Sequence, residues 1–400
     1  MTDRRQRMLP SISESVLNQV VARLRRGELT LVSSRGTERT FTGAQPGPSA
    51  RIELHRTRAA SRAIVDGSMG LAEGYLAGDW DTPDLDAVLT LGLANLSDKA
   101  GGAHSVFAPI HRAMHAVRDN SPRGSKRNIA SHYDLGNEFY RLWLDPTMSY
   151  SSALFDGGPD AEIESLEQAQ RRKWDHMLDL LQPSRRDHIL EIGCGWGGFA
   201  AYAAQKSGCR VTGITLSEEQ HAWATRAVAE QALEDRVSIW LEDYRDVRGG
   251  FSAVASIEMF EAVGERWWPV FFRRLNELVS PGKPVALQTI TIEDHRFEEY
   301  RDKPDFVQRY VFPGGMLPSP QRFDAAARTA GFSVSDPLFF GPSYAETLRA
   351  WQERFEAALP AVTALGFDDR FVRLWRYYLA YCRAGFLAGT INVMQVRLQT

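Results

Sequence analysis

Apolar residues recur at helical spacing near the start of the chain. Val16, Val20, Val21 and Leu24 share one face and predict an amphipathic helix over residues 13–26. Two strand-like runs follow, at residues 29–33 and 51–55, separated by polar turns containing Gly and Pro. Residues 63–81 then set Gly67, Gly70, Gly74 and Gly78 among apolar side chains and end in GDWD. A regular helix tolerates so many glycines poorly, so short helices and tight turns are expected there. From His188 onward the pattern changes. DHILEIGCGWGG, CRVTGITLS, RVSIWLED, FSAVASIEM and KPVALQTITI read as strands, with helical stretches between the first pairs and before the last. That alternation predicts a parallel sheet with helices on both faces. Residues 344–386, rich in Trp, Tyr, Phe and Leu, predict two or three helices, and no internal repeat is visible.

Length and composition narrow the class. At 400 residues with 44% apolar and 10% aromatic content, the chain is expected to form two domains with a sizeable core. A formal charge of −3 leaves no whole-protein footprint for nucleic acid. Cys194, Cys209 and Cys382 are scattered and form no CxxC pair or Cys/His cluster, which argues against a metal site and for a reducing cytoplasm. The basic start has no signal-peptide core, and no stretch approaches the roughly 18 apolar residues needed to span a bilayer. Any lipid contact is therefore expected to be peripheral. Residues 97–128 read as a linker between an N-terminal domain (1–96) and a catalytic domain (129–400), with a helix-like stretch over 106–117. Near its end Arg118, Arg123, Lys126 and Arg127 oppose only Asp119. This is either a solvated tether or a patch for anionic headgroups, where each basic residue contributes about 1 kcal/mol.

The strongest chemical signal is the loop after the apolar run 188–190, which contains Glu191, Gly193, Gly195, Gly197 and Gly198. Glycines at the carboxyl end of a strand let the backbone approach a ligand closely. Dinucleotide enzymes use a similar loop, so it does not decide by itself. Two further features favour S-adenosylmethionine. Glu191 sits on the strand two residues before the first glycine, able to organise the loop or meet a cationic cofactor. A second polar cluster, Thr215-Leu216-Ser217-Glu218-Glu219-Gln220, follows the next strand. Ser217 is expected to cap the following helix, while Thr215 or Gln220 reaches the ribose. Asp243 and Tyr244, after the third strand, stand where adenine would lie, although Asp243 also reads as an ordinary loop acid.

SHYDLGNEFYRLWLDPTMSYSSALF at residues 131–155, with EIGCGWGG, GITLSEEQ, MFEAVG and YVFPGGMLPS, closely resembles the cyclopropane-fatty-acyl-phospholipid synthase family over residues 63–398. GYLAGDWD resembles the extra N-terminal domain of its bacterial phospholipid-acting members. The resemblance implies an α/β fold: a Rossmann-like class I methyltransferase domain with a mostly parallel seven-stranded sheet, and a small mixed α/β N-terminal domain that handles lipid. It implies that Tyr133, Tyr150 and Ser151 touch the methionine end of the cofactor, and Leu216 is counted with Thr215 and Gln220 among the cofactor-binding residues. It further implies methyl transfer to a cis double bond of a phospholipid-bound acyl chain, leaving a carbocation. Loss of a proton from the new methyl closes a cyclopropane ring; loss from a chain carbon gives a methyl-branched or methylene product. Aromatic faces stabilise such a cation; Trp174, Phe199, Phe260, Trp267, Trp268, Phe271 and Phe312 are tunnel or core residues.

In this family the base is a bound bicarbonate held by a cysteine, a glutamate, a histidine, a main-chain group and a tyrosine. The glutamate maps to Glu261, the tyrosine to Tyr344 and the main-chain position to Ile290. The other two differ: Ser152 replaces the cysteine and Gln288 the histidine. Both still hydrogen-bond an anion, but a titratable imidazole is lost. The expected product is a cyclopropane acyl chain, with a methyl-branched, methylene or furan-precursor product as the competing outcome. A small-molecule N-methyltransferase and a non-catalytic lipid- or cofactor-binding protein are the remaining alternatives. His132 either orients a cofactor carboxylate or is structural, and His295 reads as solvated. The expected partner is a phospholipid membrane surface met peripherally from the cytoplasm, without nucleic acid, and a homodimer accords with serving two acyl chains.

Overall fold

The computed structural model describes residues 12–95, 135–157 and 164–400. The linker with its basic cluster, His132 and Tyr133 lie outside the described residues. The chain divides into two compact units, residues 1–103 with 366–388, and residues 104–365 with 389–400. Among the described residues no helix is long and apolar enough to cross a membrane.

The first unit has a four-stranded sheet of order β2-β1-β3-β4, formed by Arg26–Val32 (β1), Glu38–Thr42 (β2), Gln45–Leu54 (β3) and Trp80–Asp81 (β4). β1 and β3 are the strands that the apolar runs pointed to. β2, ERTFT, was not legible, because it is an edge strand exposed at nearly every position. The first helix is shorter than its apolar spacing suggests, Ile12–Val21. The glycine-rich stretch forms two short helices within Arg58–Leu76, as expected, joined at a kink where Gly67 has a non-helical φ of 56° and ψ of −129°. Its other glycines are there for close approach. A Cβ on Gly70 would stand 2.0 Å from the Arg62 carbonyl oxygen, and one on Gly74 would be 3.0 Å from the Trp80 ring.

GDWD has a local explanation. Asp79 is fully buried and meets Arg58 at 2.8 Å, Arg62 at 3.0 Å and Arg56 at 3.3 Å. A buried carboxylate requires such company. Trp80 donates its indole N–H to the Leu71 carbonyl at 2.8 Å. The domain boundary expected from composition needs a correction at the other end of the chain. The helix Asp369–Leu387 belongs to this first unit, although it follows most of the second in sequence. Arg373 holds it there, bonding the carbonyls of Tyr75 and Trp80 and the Asp81 carboxylate at 3.1 Å, with its guanidinium 3.9 Å from the centre of the Tyr75 ring.

The second unit contains a seven-stranded sheet of order β10-β11-β9-β8-β5-β6-β7. Its strands are His188–Ile192 (β5), Arg210–Thr215 (β6), Val237–Leu241 (β7), Ala253–Ile257 (β8), Pro284–Ile292 (β9), Ser333–Phe339 (β10) and Ile391–Gln399 (β11). The five consecutive neighbours from β9 to β7 are parallel, and β11 runs antiparallel between β9 and β10. All five parallel strands were legible as apolar runs. β10, SVSDPLF, is an exposed edge strand with Asp and Pro and shows no such run. Packed aromatic residues, including Phe260, Phe271, Phe272 and Phe323, form one core cluster with strands β8, β9 and β11; a second, with the helices Leu166–Leu181 and Gly198–Ser207, covers β5 and β6.

This topology positions the site. The strand order reverses next to β5, so the loops after β5 and β8 diverge above a crevice at the carboxyl edge of the sheet, where open α/β sheets bind ligands.

Candidate active site

The loop after β5 turns through three glycines with positive φ, Gly193 (81°), Gly195 (53°) and Gly197 (85°), a region that side-chain-bearing residues rarely enter. Gly193 and Cys194 donate their backbone N–H groups to the Ile214 carbonyl at 3.0 and 2.9 Å, which ties the loop to β6. A Cβ on Gly193 would come within 2.7 Å of Met259. The resulting cavity is lined by Tyr150, Ser151, Glu191, Gly193, Gly195, Thr215, Leu216, Gln220 and Tyr244, all expected cofactor positions, together with Glu242, Glu258 and Met259. Ser217 caps the next helix by accepting from Gln220 N at 3.2 Å, and Thr215 donates to the Gln220 amide oxygen at 2.9 Å. Two expected positions fall outside the lining. Gly197 turns the chain where a Cβ would stand 3.1 Å from Ala224 Cβ. Asp243 is taken up by an ion pair with Arg245 at 2.5 Å, and its neighbours Glu242 and Tyr244 face the cavity instead.

The base pocket differs from expectation in one decisive respect. Its donors converge on Glu258, which no motif had singled out. Ser152 N donates to Glu258 Oε1 at 2.8 Å, Gln288 Nε2 to the same oxygen at 2.7 Å, and the Tyr344 hydroxyl to Oε2 at 2.7 Å. Glu261 accepts instead from Ile290 N and from the Thr289 hydroxyl at 3.0 Å, and its other oxygen is buried without a partner. The hydroxyl of Ser152 is turned away, donating to the Ala153 carbonyl at 2.9 Å, so this residue contributes its main chain and not the side chain expected to stand in for cysteine. A separate bicarbonate does not fit the set Ser152, Gln288, Tyr344, Ile290 and Glu261, because the chain's own carboxylates already accept from its donors. Glu258 follows β8 directly with φ 51°. That backbone conformation costs an L-residue on the order of 1 to 2 kcal/mol, and strain of this kind collects at functional sites.

Behind the pocket lies a buried polar chain. The Gln288 amide oxygen accepts from Gln395 Nε2 at 2.7 Å, across the β9–β11 register that pairs these two residues, and Gln395 in turn bonds His176. Lys173 is fully buried and donates to the Ser151 hydroxyl and the Gln170 amide oxygen. Burial brings its pKa down to about 8, against the opposing pull of Glu258, Asp145 and Glu191. Burial likewise raises Glu258, while Tyr344, Ser152, Gln288 and Lys173 act to keep it ionised. Glu261 is pushed up to about 8 by burial and then by the Glu258 charge. Like charges sharing a buried site do not both ionise readily. Three donors favour the ionised form of Glu258, and its charge in turn disfavours ionisation of Glu261.

The family model for mycolic acid cyclopropane synthetase matches residues 120–396. A tuberculostearic acid methyltransferase of Mycobacterium tuberculosis is 40% identical over 404 residues, covering 97% of this chain and 91% of that protein. The cyclopropane-fatty-acyl-phospholipid synthase of Escherichia coli is 34% identical over 341 residues, 84% of each chain. The chain belongs to the cyclopropane synthase family. Among solved structures, a mycolic acid cyclopropane synthase in complex with SAH and CTAB has 29% identity and a TM-score of 0.63, covering 69% of this chain and 98% of that one. This cyclopropane synthase family member is accordingly an S-adenosylmethionine-dependent C-methyltransferase that acts on lipids, and its seven-stranded sheet is the class I methyltransferase fold.

The residues present fit the cofactor. The glycine loop leaves room for close backbone approach, and Glu191 Oε2 is buried without a hydrogen-bond partner on the cavity wall. Burial pushes the Glu191 carboxyl up to about 8 from an ordinary 4.5. The folded protein therefore keeps a proton there that the unfolded chain releases, and stability of the free enzyme falls as pH rises from 4.5 to about 8. A cationic ligand beside this group reverses the balance and expels the proton. Titrating the cofactor into the enzyme at pH 7 in buffers of different ionisation enthalpy should show proton release. A heat independent of buffer would remove Glu191 from contact with the cofactor.

The structure also sorts the aromatic residues. Trp174 and Phe199 line the cavity, with Trp196 beside them. Phe260, Trp268 and Phe271 are core, Trp267 packs on that core, and Phe312 lies 6.3 Å from the Tyr150 ring. His295 is exposed and 3.8 Å from Glu293.

Proposed function

We propose that this enzyme transfers a methyl group to one carbon of a cis double bond in a phospholipid-bound unsaturated acyl chain, and that the product is an open-chain methylated alkene rather than a ring. The observation that carries the reading is the single cavity in which a glycine-loop cradle, aromatic walls and the fixed carboxylate of Glu258 meet. Likeness to a tuberculostearic acid methyltransferase over 97% of this chain supports the open-chain product.

The cofactor supplies an electrophilic methyl group. The alkene π pair forms the new C–C bond, and the adjacent carbon becomes cationic. Tyr150, Trp174 and Phe199 offer π faces to that charge. A 1,2-hydride shift moves the charge to the methylated carbon. Loss of a proton from the methyl then leaves the C–H pair as a methylene double bond. If the proton leaves before the shift, the same pair closes a cyclopropane. A base anchored in one pose selects between these outcomes by position.

The lipid surface would be met by the N-terminal unit, from the cytoplasmic side. Its helices Ile12–Val21 and Arg58–Leu76 leave Val20 54% and Val65 78% exposed.

Mass spectrometry of monounsaturated phospholipid vesicles incubated with labelled-methyl cofactor tests the reading. A gain of one CH2 whose product still takes up hydrogen is expected. The same gain resisting hydrogenation would assign the ring instead, and methylation of soluble amines with no lipid product would overturn lipid alkene chemistry.

A further inference from the structure

Three of the five positions given by resemblance to a bound bicarbonate, Ser152, Gln288 and Tyr344, donate to one side chain of this chain. The other two, Ile290 and Glu261, bond each other. A carboxylate has the shape of the anion it displaces: a planar carbon with two equivalent oxygens. We propose that Glu258 is itself the base of the reaction, a carboxylate built into the chain where a relative would recruit a free anion. The proposal rests on the reading of the reaction as alkene methylation.

Geometry supplies the detail. Oε1 of Glu258 takes two donors, which use both of its lone pairs in the carboxylate plane, whereas Oε2 takes one, from Tyr344. Oε2 thus keeps a lone pair, and Glu258 stands on the cavity wall with the residues of the cofactor loop. In the final step a C–H bond of the cationic substrate breaks and its electron pair stays on carbon as the new C–C π bond. The proton moves to Oε2 and is lost to solvent when product leaves. No further reactant is needed. The left-handed backbone at Glu258 is a second, independent sign. A glycine would sit there without strain, so a large acidic side chain at this position is held by what it does in the pocket.

Burial raises the Glu258 carboxyl, which strengthens it as a base, while its three donors and Lys173 preserve the ionised form that accepts a proton. Ser152 and Gln288 act through it. Gln288 replaces an imidazole in the related sites and suits a resident carboxylate, which needs a neutral donor and no extra charge, while Ser152 contributes only its main-chain N–H.

The test uses the full-length enzyme and Glu258→Gly in carbon-dioxide-free buffer, with two readouts. The first is calorimetric titration of bicarbonate into the S-adenosylhomocysteine complex, which needs no turnover. Wild type should show no saturable binding, and Glu258→Gly, with S-adenosylhomocysteine affinity retained, should bind the anion in the space opened. The second is methyl incorporation into lipid. Wild type should be indifferent to bicarbonate. Glu258→Gly should lose about 100-fold, the usual worth of a positioned base, and recover in part with bicarbonate or formate. Glu258→Gln, whose amide still fills the pocket, should lose as much and recover nothing. Saturable bicarbonate binding by wild type, or a wild-type rate that collapses without carbon dioxide and returns with bicarbonate, would overturn the proposal. So would a Glu258→Gly enzyme that binds S-adenosylhomocysteine yet keeps its full rate or binds no bicarbonate. If wild type methylates no lipid at all, the proposed function fails, and the binding comparison still decides what fills the pocket.

Discussion

Tyr344→Phe is expected to lower the rate of methyl transfer about 10- to 100-fold, the worth of one hydrogen bond to a charged group. The phenol removed is the sole donor to Oε2 of Glu258, at 2.7 Å. The ring itself stays: its centre lies 6.1 Å from that of Trp351 in a T-shaped contact, which phenylalanine keeps. Cofactor affinity should therefore be untouched, which separates this effect from general damage to the cavity. The pH profile gives a sharper readout. Tyr344 acts to lower the Glu258 pKa, so its loss raises that pKa further. A base works only when ionised, and the acidic limb of the rate profile should move to higher pH, with part of the lost activity returning in alkali. A uniform loss at every pH would mean that Tyr344 serves packing alone.

Gly193→Ala should weaken cofactor binding about 100-fold. Two penalties act together: the new methyl would lie 2.7 Å from Met259 Cγ, and φ is 81°. Overpacking costs about 1–3 kcal/mol and the left-handed backbone about 1–2 kcal/mol; near 3 kcal/mol in total corresponds to about 100-fold in affinity. Gly195→Ala provides the contrast. Its φ is 53°, yet nothing lies within 4 Å of the added carbon, so only the backbone penalty of about 1–2 kcal/mol applies. Calorimetry with S-adenosylhomocysteine measures both. Equal losses for the two variants would mean that Met259 yields freely and that the contact is not what shapes the loop.

These two residues mark how far the sequence reached. Gly193 and the strand before it were legible because a buried parallel strand is a continuous apolar run and a glycine cluster at its end has few other uses. The five parallel strands of the large sheet were found in that way. The edge strands β2 and β10 were not, since one neighbour and solvent on the other side demand no apolar pattern. Tyr344 came from a motif, and a motif assigns a position without saying which partner it meets. Glu258 lies outside any motif, whereas MFEAVG points to Glu261, three residues later. The signal was present nonetheless, as an acid directly after the apolar strand Ala253–Ile257 at the ligand-binding edge. Lys173 had a comparable signal. It shares the helical face of Ala169, Met177 and Leu180, all buried, and a charged residue in such a stripe needs partners. The helix Asp369–Leu387 was recognised as a helix, but no local pattern tells to which body a helix returns.

That return governs how the molecule is assembled on the ribosome. Residues 12–95 are synthesised first, yet the Asp81 carboxylate and the Tyr75 and Trp80 carbonyls take their bonds from Arg373, and Asp86 pairs with Arg383. The N-terminal unit therefore waits, incomplete, while nearly the whole methyltransferase sheet is translated, and it closes only as the final strand β11 is about to emerge. A fragment cut after residue 103 would expose the surface that this helix covers and should depend on chaperones or aggregate. Exchange of this unit between family members requires grafting two separate stretches of gene, one encoding residues 12–95 and one encoding Asp369–Leu387.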